Sequence, residues 1–231
     1  MLISKRNILI LIGGSVLGVL FFVNQNSLAQ DPLRYENNLS TEQLVTKTAA
    51  QNLMTWLAKI PAGQERSYGF TDRQEFEQAT VGQPIRMATI DPQSVQAQAN
   101  LEHKLVKQMQ VWRVPVLVKG DYRALLTVAR VEGSYRTVEI GAAGLAGELG
   151  HFAQAGIGKQ ANDRTYILRI FQLRSDFILV APVEAELEDG EIYPMQSARI
   201  YLGLGTRLTI DYPGLVEILR QNFAKLNLES R

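Results

Sequence analysis

Residues 111–140 read VWRVPVLVKGDYRALLTVARVEGSYRTVEI, and this stretch decides the fold. β-Branched and aromatic side chains dominate it, the types that suit a pleated, half-buried backbone. Two glycine turns, Lys119-Gly120-Asp121 and Glu132-Gly133, cut it into three. The pattern predicts strands over 111–118, 122–131 and 134–140, folded back on one another as an antiparallel meander. Pro115 lies inside the first strand; it has no N–H to give a ladder, which predicts a sheet edge or a bulge there.

Towards the C-terminus, residues 141–156 predict a helix in which Gly141, Gly144, Gly147 and Gly150 recur every third position. Such a face can approach another backbone closely, and glycine's cost in a helix, about 1 kcal/mol each, favours packing on the protein's own sheet over a partner helix. Strands are expected over 164–174 and 177–187, then a two-residue hairpin turn at Asp189-Gly190 and a returning strand over 191–202. Asp211 caps a final helix, with Pro213 in its first turn and Leu215, Val216, Leu219, Phe223 and Leu226 on its apolar face.

Towards the N-terminus, Ser40-Thr41-Glu42-Gln43 has the capping-box spacing. Val45, Ala49, Leu53, Trp56, Leu57 and Ile60 follow at helical spacing until Pro61-Ala62-Gly63 ends the run. Between this helix and the meander, the pattern suggests a short strand over 64–70, a small helix from Thr71 to Ala79, a strand over 84–90 and a polar surface helix over 94–108. The fold class is α+β: an antiparallel sheet, meander plus hairpin, covered on one face by several helices. One domain is expected over 40–231, after a polar leader at 30–39.

The first 29 residues read differently. Lys5 and Arg6 precede an uncharged apolar run, Ile8 to Val23, and Ser27-Leu28-Ala29 then supplies small residues at the two positions a signal peptidase reads. Cleavage between Ala29 and Gln30 is expected. The alternative is that residues 8–23 stay as an uncleaved anchor, although the run falls short of the roughly 17–25 residues of a membrane span. No cysteine follows the run, which excludes a lipoprotein anchor.

The chain has 24 Lys and Arg against 23 Asp and Glu. Loss of Lys5 and Arg6 with the signal leaves 22 against 23, a net charge of −1. That balance gives no overall attraction to nucleic acid or anionic lipid. Cysteine is absent, so stability rests on packing, with no disulfide to add to it.

The chemistry-bearing residues form no recognisable catalytic motif. His103 and His151 are the only histidines. Glu148 and His151 share a helix face, but a metal site of that type needs further ligands, and a surface pair is the plainer interpretation. The mature part has no Gly-x-Ser-x-Gly elbow. Gly156-Ile157-Gly158-Lys159 lacks the spacing and the hydroxyl residue of a phosphate loop, and Gly203-Leu204-Gly205 lacks the third glycine of a dinucleotide fingerprint. Glu184, Glu186 and Glu188 alternate with apolar residues, which indicates a solvated strand face; calcium needs ligands that surround it. Neither cofactor nor metal is expected. Trp112, Arg113, Tyr68, Phe70 and Tyr122 lie near strand ends or turns and are the candidate binding surface, with core packing as the alternative for the aromatics.

These observations predict an exported, non-catalytic protein of the periplasm or cell envelope that binds or assembles with a partner there. Two alternatives remain: a carboxylate-dependent hydrolase acting on envelope polysaccharide or peptide, and a structural factor tethered through residues 8–23. Contact with the membrane is expected only in the tethered case. No run of residues is specific enough to name a family.

Overall fold

The 111–140 meander forms the middle of the protein's sheet. The computed structural model describes residues 39–97, 104–158, 160 and 162–229. The expected cleavage site at Ala29 and Gln30, the apolar run 8–23, the leader up to residue 38 and His103 lie outside the described residues. Eight strands are present among the described residues: β1 (Ala79–Val81), β2 (Ile85–Ile90), β3 (Val106–Val118), β4 (Asp121–Val131), β5 (Ser134–Gly141), β6 (Asp163–Ile170), β7 (Ser175–Pro182) and β8 (Glu191–Pro194). Their order is β5-β4-β3-β2-β6-β7-β8, with β1 beside the far end of β3. The helices are α1 (Thr41–Leu57), α2 (Pro92–Ala97), α3 (Ala143–Gln154), α4 (Gln196–Tyr201) and α5 (Tyr212–Glu229). This is an α+β arrangement around a mostly antiparallel sheet. The pairing of β2 with β6 is parallel, which the expectation of a wholly antiparallel sheet missed.

Alternation along the strands sorts the core onto two faces. On the front face, Trp112, Val114 and Val116 of β3 pack with Leu126 and Val128 of β4 beneath the buried stripe of α1, Val45, Ala49, Leu53 and Leu57. Leu168, Ile170, Phe177 and Leu179 of β6 and β7 continue this face beneath Leu215, Val216, Leu219 and Phe223 of α5. The back face carries Leu125, Ile167 and Ile178, which pack with Ala146 and Leu149 of α3. Helices therefore cover both faces, where coverage of one was expected.

The helix starts form as their sequences dictate. Gln43 N–H donates to Ser40 Oγ at 3.2 Å and Ser40 N–H to Gln43 Oε1 at 2.8 Å, completing the capping box. Asp211 Oδ1 accepts from Gly214 N–H at 3.0 Å, closing the start of α5. Of the α3 glycines, Gly150 meets the sheet: a Cβ there would stand 3.3 Å from the Tyr122 side chain, whereas Gly144 and Gly147 face open space. Pro115 occupies neither a sheet edge nor the bulge itself, which lies between Val116 and Leu117. Its carbonyl accepts from Gly82 N–H at 2.8 Å, so its missing N–H falls on the side where β2 has ended and β1 has not begun. The ladder to β4 loses nothing.

Several elements depart from expectation. Residues 65–68 form a 3₁₀ turn in place of a strand, closed by Gly69 at φ 90°. Gly69 sits so close to β4 that a Cβ would lie 2.0 Å from the Arg123 carbonyl oxygen. The small helix after Thr71 is a 3₁₀ turn over Arg73–Gln78, capped by Asp72. Of the surface helix expected over 94–108, the described part is α2, residues 98–103 lie outside the described residues, and β3 begins at Val106, five residues before the expected start. The strand 164–174 ends at Ile170, and Phe171–Leu173 form a 3₁₀ turn. β7 stops at Pro182, and residues 183–190 form a longer connection in place of the hairpin turn. Glu186 pairs there with Lys104 at 2.5 Å, and Glu188 accepts from Val106 N–H at 3.0 Å. These acids tie the connection to the start of β3, so they do not line a strand face. The expected strand 191–202 is β8 followed by α4, whose Ala198 is fully buried.

Candidate functional site

Strand register builds a polar belt across the back face. Arg113 and Glu139 both flank Thr127 as cross-strand partners, one from β3 and one from β5. Arg113 Nη1 donates to Thr127 Oγ1 and, at 3.0 Å, to Glu139 Oε2; Thr127 Oγ1 donates to the same carboxylate oxygen at 2.8 Å. Beyond β2, Arg169 of β6 faces Asp176 of β7. Arg169 Nη1 reaches both Asp176 oxygens, at 3.1 and 3.2 Å. Ser197 of α4 joins them: its hydroxyl accepts from Asp176 N–H at 2.9 Å and donates to Asp176 Oδ2 at 3.2 Å.

The two carboxylates are pushed in opposite directions. The Thr127 hydroxyl, helped by Arg113 and by the more distant Arg169, holds Glu139 below the usual carboxylate range, against partial desolvation. Burial pushes Asp176 up, although Arg169, Ser197 and Arg113 all favour its ionised form. Each arginine acts on both acids, so the two pairs lie in one electrostatic field. Thr127 and Asp176 are buried, while the Glu139 side chain is 59% and the Arg169 side chain 29% exposed. The belt therefore has a buried floor and a rim that reaches solvent.

Two grooves flank α3. One, of about 170 Å³, is lined by Asp121, Tyr122, Gly147, Gly150, His151 and Gln154. The other, of about 320 Å³, is more apolar, with Ile85, Tyr122, Leu149, Phe152, Ile157 and Ile178 on its walls and Asp163 and Thr165 among its polar groups. Neither is lined by Glu139 or Asp176.

The five residues singled out from sequence separate. Arg113 belongs to the belt, and Tyr122 lines both grooves. Trp112 and Phe70 are each 1% exposed; Trp112 stacks edge-on with Tyr135 and Phe70 with Phe76 in the core under α1. Tyr68 is half-buried against the same core. Thr127, Glu139, Arg169, Asp176 and Ser197 were not anticipated. A lone acid at the head of the apolar run Phe177–Ala181 was the available sign of Asp176.

Among the described residues no group of three or more His, Cys, Asp or Glu side chains is placed to hold a metal ion. Glu148 accepts from Gln196 N–H at 2.6 Å, so it ties α3 to the start of α4. No family model, curated protein or solved structure matches this chain. No helix of the described residues is long and apolar enough to cross a membrane.

Proposed function

We propose that the protein is exported, loses residues 1–29, and acts in the periplasm or envelope as a non-catalytic binding or assembly module. Its working surface is the back face of the sheet. The observation that carries this assignment is the belt: two arginine–carboxylate pairs held in fixed geometry by strand register, with a rim open to solvent on a face that α3 only partly covers. Paired groups of both signs recognise a ligand that also carries both, such as a peptide or a zwitterionic small molecule, because each partner finds its complement in place. The grooves beside α3 supply apolar surface next to Tyr122 for the rest of such a ligand.

The hydrolase alternative would draw on Asp176 and Glu139, whose ionisation is split as an acid–base pair requires. Asp176, however, is enclosed by Arg169 and Ser197, and neither acid lines either groove. Export is tested by intact mass of the chain recovered from cell fractions. A periplasmic species beginning at Gln30 is expected. An intact Met1 in the cytoplasmic fraction would refute export, and an intact Met1 in the membrane fraction would favour the tethered alternative. Binding is tested by peptide-array capture: Arg113→Ala and Arg169→Ala should each lose captured sequences that the parent retains. Capture that both variants leave unchanged would move the working surface off the belt.

A further inference from the structure

Four of the eight large apolar side chains exposed among the described residues gather at one end of the sheet. They are Phe171 at 46%, Ile200 at 65%, Tyr201 at 57% and Leu208 at 75% exposure. Phe171 and Arg174 sit on the turn between β6 and β7; Ile200, Tyr201 and Leu208 sit on α4 and the loop that follows it. The two segments are joined. Met195 N–H donates to the Asp176 carbonyl at 3.1 Å, Ser197 bonds Asp176, and Leu173 of the turn shares a core cluster with Ala198 and Leu204. Within the loop, Leu204 N–H donates to Arg199 O at 3.1 Å and Arg207 N–H to Leu204 O at 3.3 Å, which folds the loop tightly on itself.

The charge here is of one sign. No acidic residue occurs between Glu191 and Asp211, nor between Phe171 and Arg174, while Arg174, Arg199 and Arg207 are basic. The carboxylates that border it are engaged: Asp176 is buried and paired with Arg169, Glu148 accepts from Gln196 N–H at 2.6 Å, and Asp211 accepts from Gly214 N–H at 3.0 Å. Apolar side chains with a tyrosine, interspersed with arginines and free of acids, have the composition of a segment that lies in the interfacial layer of a membrane. Basic residues near an anionic bilayer are attracted to it, and this local attraction operates even where the chain as a whole is near neutral.

We propose that this end of the sheet docks on an anionic lipid bilayer, with Ile200, Tyr201 and Leu208 entering the headgroup region and Arg207 and Arg174 meeting lipid phosphates. The docking is independent of how the N-terminus is processed, so its test must report on the loop itself. Tyr201→Trp places an indole there, and the full chain is mixed with vesicles carrying brominated acyl chains. With phosphatidylglycerol vesicles, quenching should exceed that of the parent, whose tryptophans are Trp56 and Trp112, by at least twofold. The excess should vanish with phosphatidylcholine vesicles and when Arg207→Glu and Leu208→Ser are added. If Tyr201→Trp does not fold, Leu208→Trp gives the same readout. Quenching equal to the parent's on phosphatidylglycerol would overturn the proposal, as would quenching that Arg207→Glu leaves intact. So would a lipid-free dimer that Leu208→Ser dissociates, which would assign the surface to a second copy of the chain.

Discussion

Thr127→Val tests whether the belt is a working electrostatic unit. Thr127 is buried, and its hydroxyl both accepts from Arg113 and donates to Glu139 at 2.8 Å. Valine keeps the shape and the strand preference and removes only the hydroxyl. Arg113 still reaches Glu139 at 3.0 Å, so no charge is left buried and alone. A net hydrogen bond contributes about 1 kcal/mol. The Arg113–Glu139 contact adds little, because the Glu139 side chain is 59% exposed and its pairing is screened. The expected loss is therefore about 1 kcal/mol at pH 7. With a urea m-value of about 2 kcal/mol/M, that moves the midpoint down by about 0.5 M. The pH dependence has a defined sign. Glu139 is depressed in the folded chain, chiefly by the Thr127 hydroxyl, so its contribution is present above the unfolded carboxylate pKa and is lost as pH falls through the folded one. The variant's deficit should thus be larger at pH 7 than at an acidic pH below the folded carboxyl's titration. Equal midpoints at pH 7 would refute the coupling. A deficit of the same size at both pH values would show that the hydroxyl does not act through Glu139.

Leu126→Ala removes a fully buried side chain beneath α1 and should cost about 3 kcal/mol, read as a fall in the urea midpoint. Gly150→Leu must displace the Tyr122 ring and should cost about 1–3 kcal/mol, whereas Gly147→Ala meets open space and should raise stability by up to about 1 kcal/mol; thermal melts of the two should move in opposite directions. Tyr212→Phe leaves Leu105 N–H without its 3.2 Å partner at a buried position and should cost about 1–2 kcal/mol in the same urea assay.

The parts of the fold written in local chemistry were legible in the sequence. The meander carries its own turns, α1 its capping box, and α5 its Asp211 cap and apolar stripe. The parts set by distant contacts were not. Residues 183–190 alternate like a strand, yet Glu186 and Glu188 are held by Lys104 and the backbone of Val106, partners about eighty residues away. Residues 196–201 have strand-like composition, but Ser197 is engaged by Asp176 and Ala198 is buried in the core cluster that also holds Leu173, which favours a short helix there. The parallel β2–β6 pairing has no local signature at all. For the same reason one belt residue could be proposed and its partners could not. Arg113 stands out as a charge in an apolar run, but only the meander's register, with a bulge between Thr127 and Val128, sets Glu139 opposite Thr127.

That register also explains why the belt lies open. β2 and β6 join two halves, the meander under α1 and the hairpin under α5, and each half has its own front-face core. On the back, Ala146 and Leu149 of α3 share one core cluster with Leu125 of the meander and with Ile167 and Ile178 of the hairpin. At 12 residues α3 is about 18 Å long and about 10 Å wide, and its close approach is to β4. A strip that wide overlies about two strands, whereas the sheet continues through β5-β4-β3-β2-β6-β7-β8. Most of the back face must therefore be finished by side chains able to meet water. Thr127 lies two positions along β4 from Leu125, as do Arg169 from Ile167 and Asp176 from Ile178, so each pair of the belt borders a residue that packs with α3. Lengthening α3 would leave it open; a second helix beside α3 would bury it and force its four charges to neutralise one another without solvent. The geometry that holds the two halves together thus leaves charged, prearranged pairs beside α3, where a ligand can touch both.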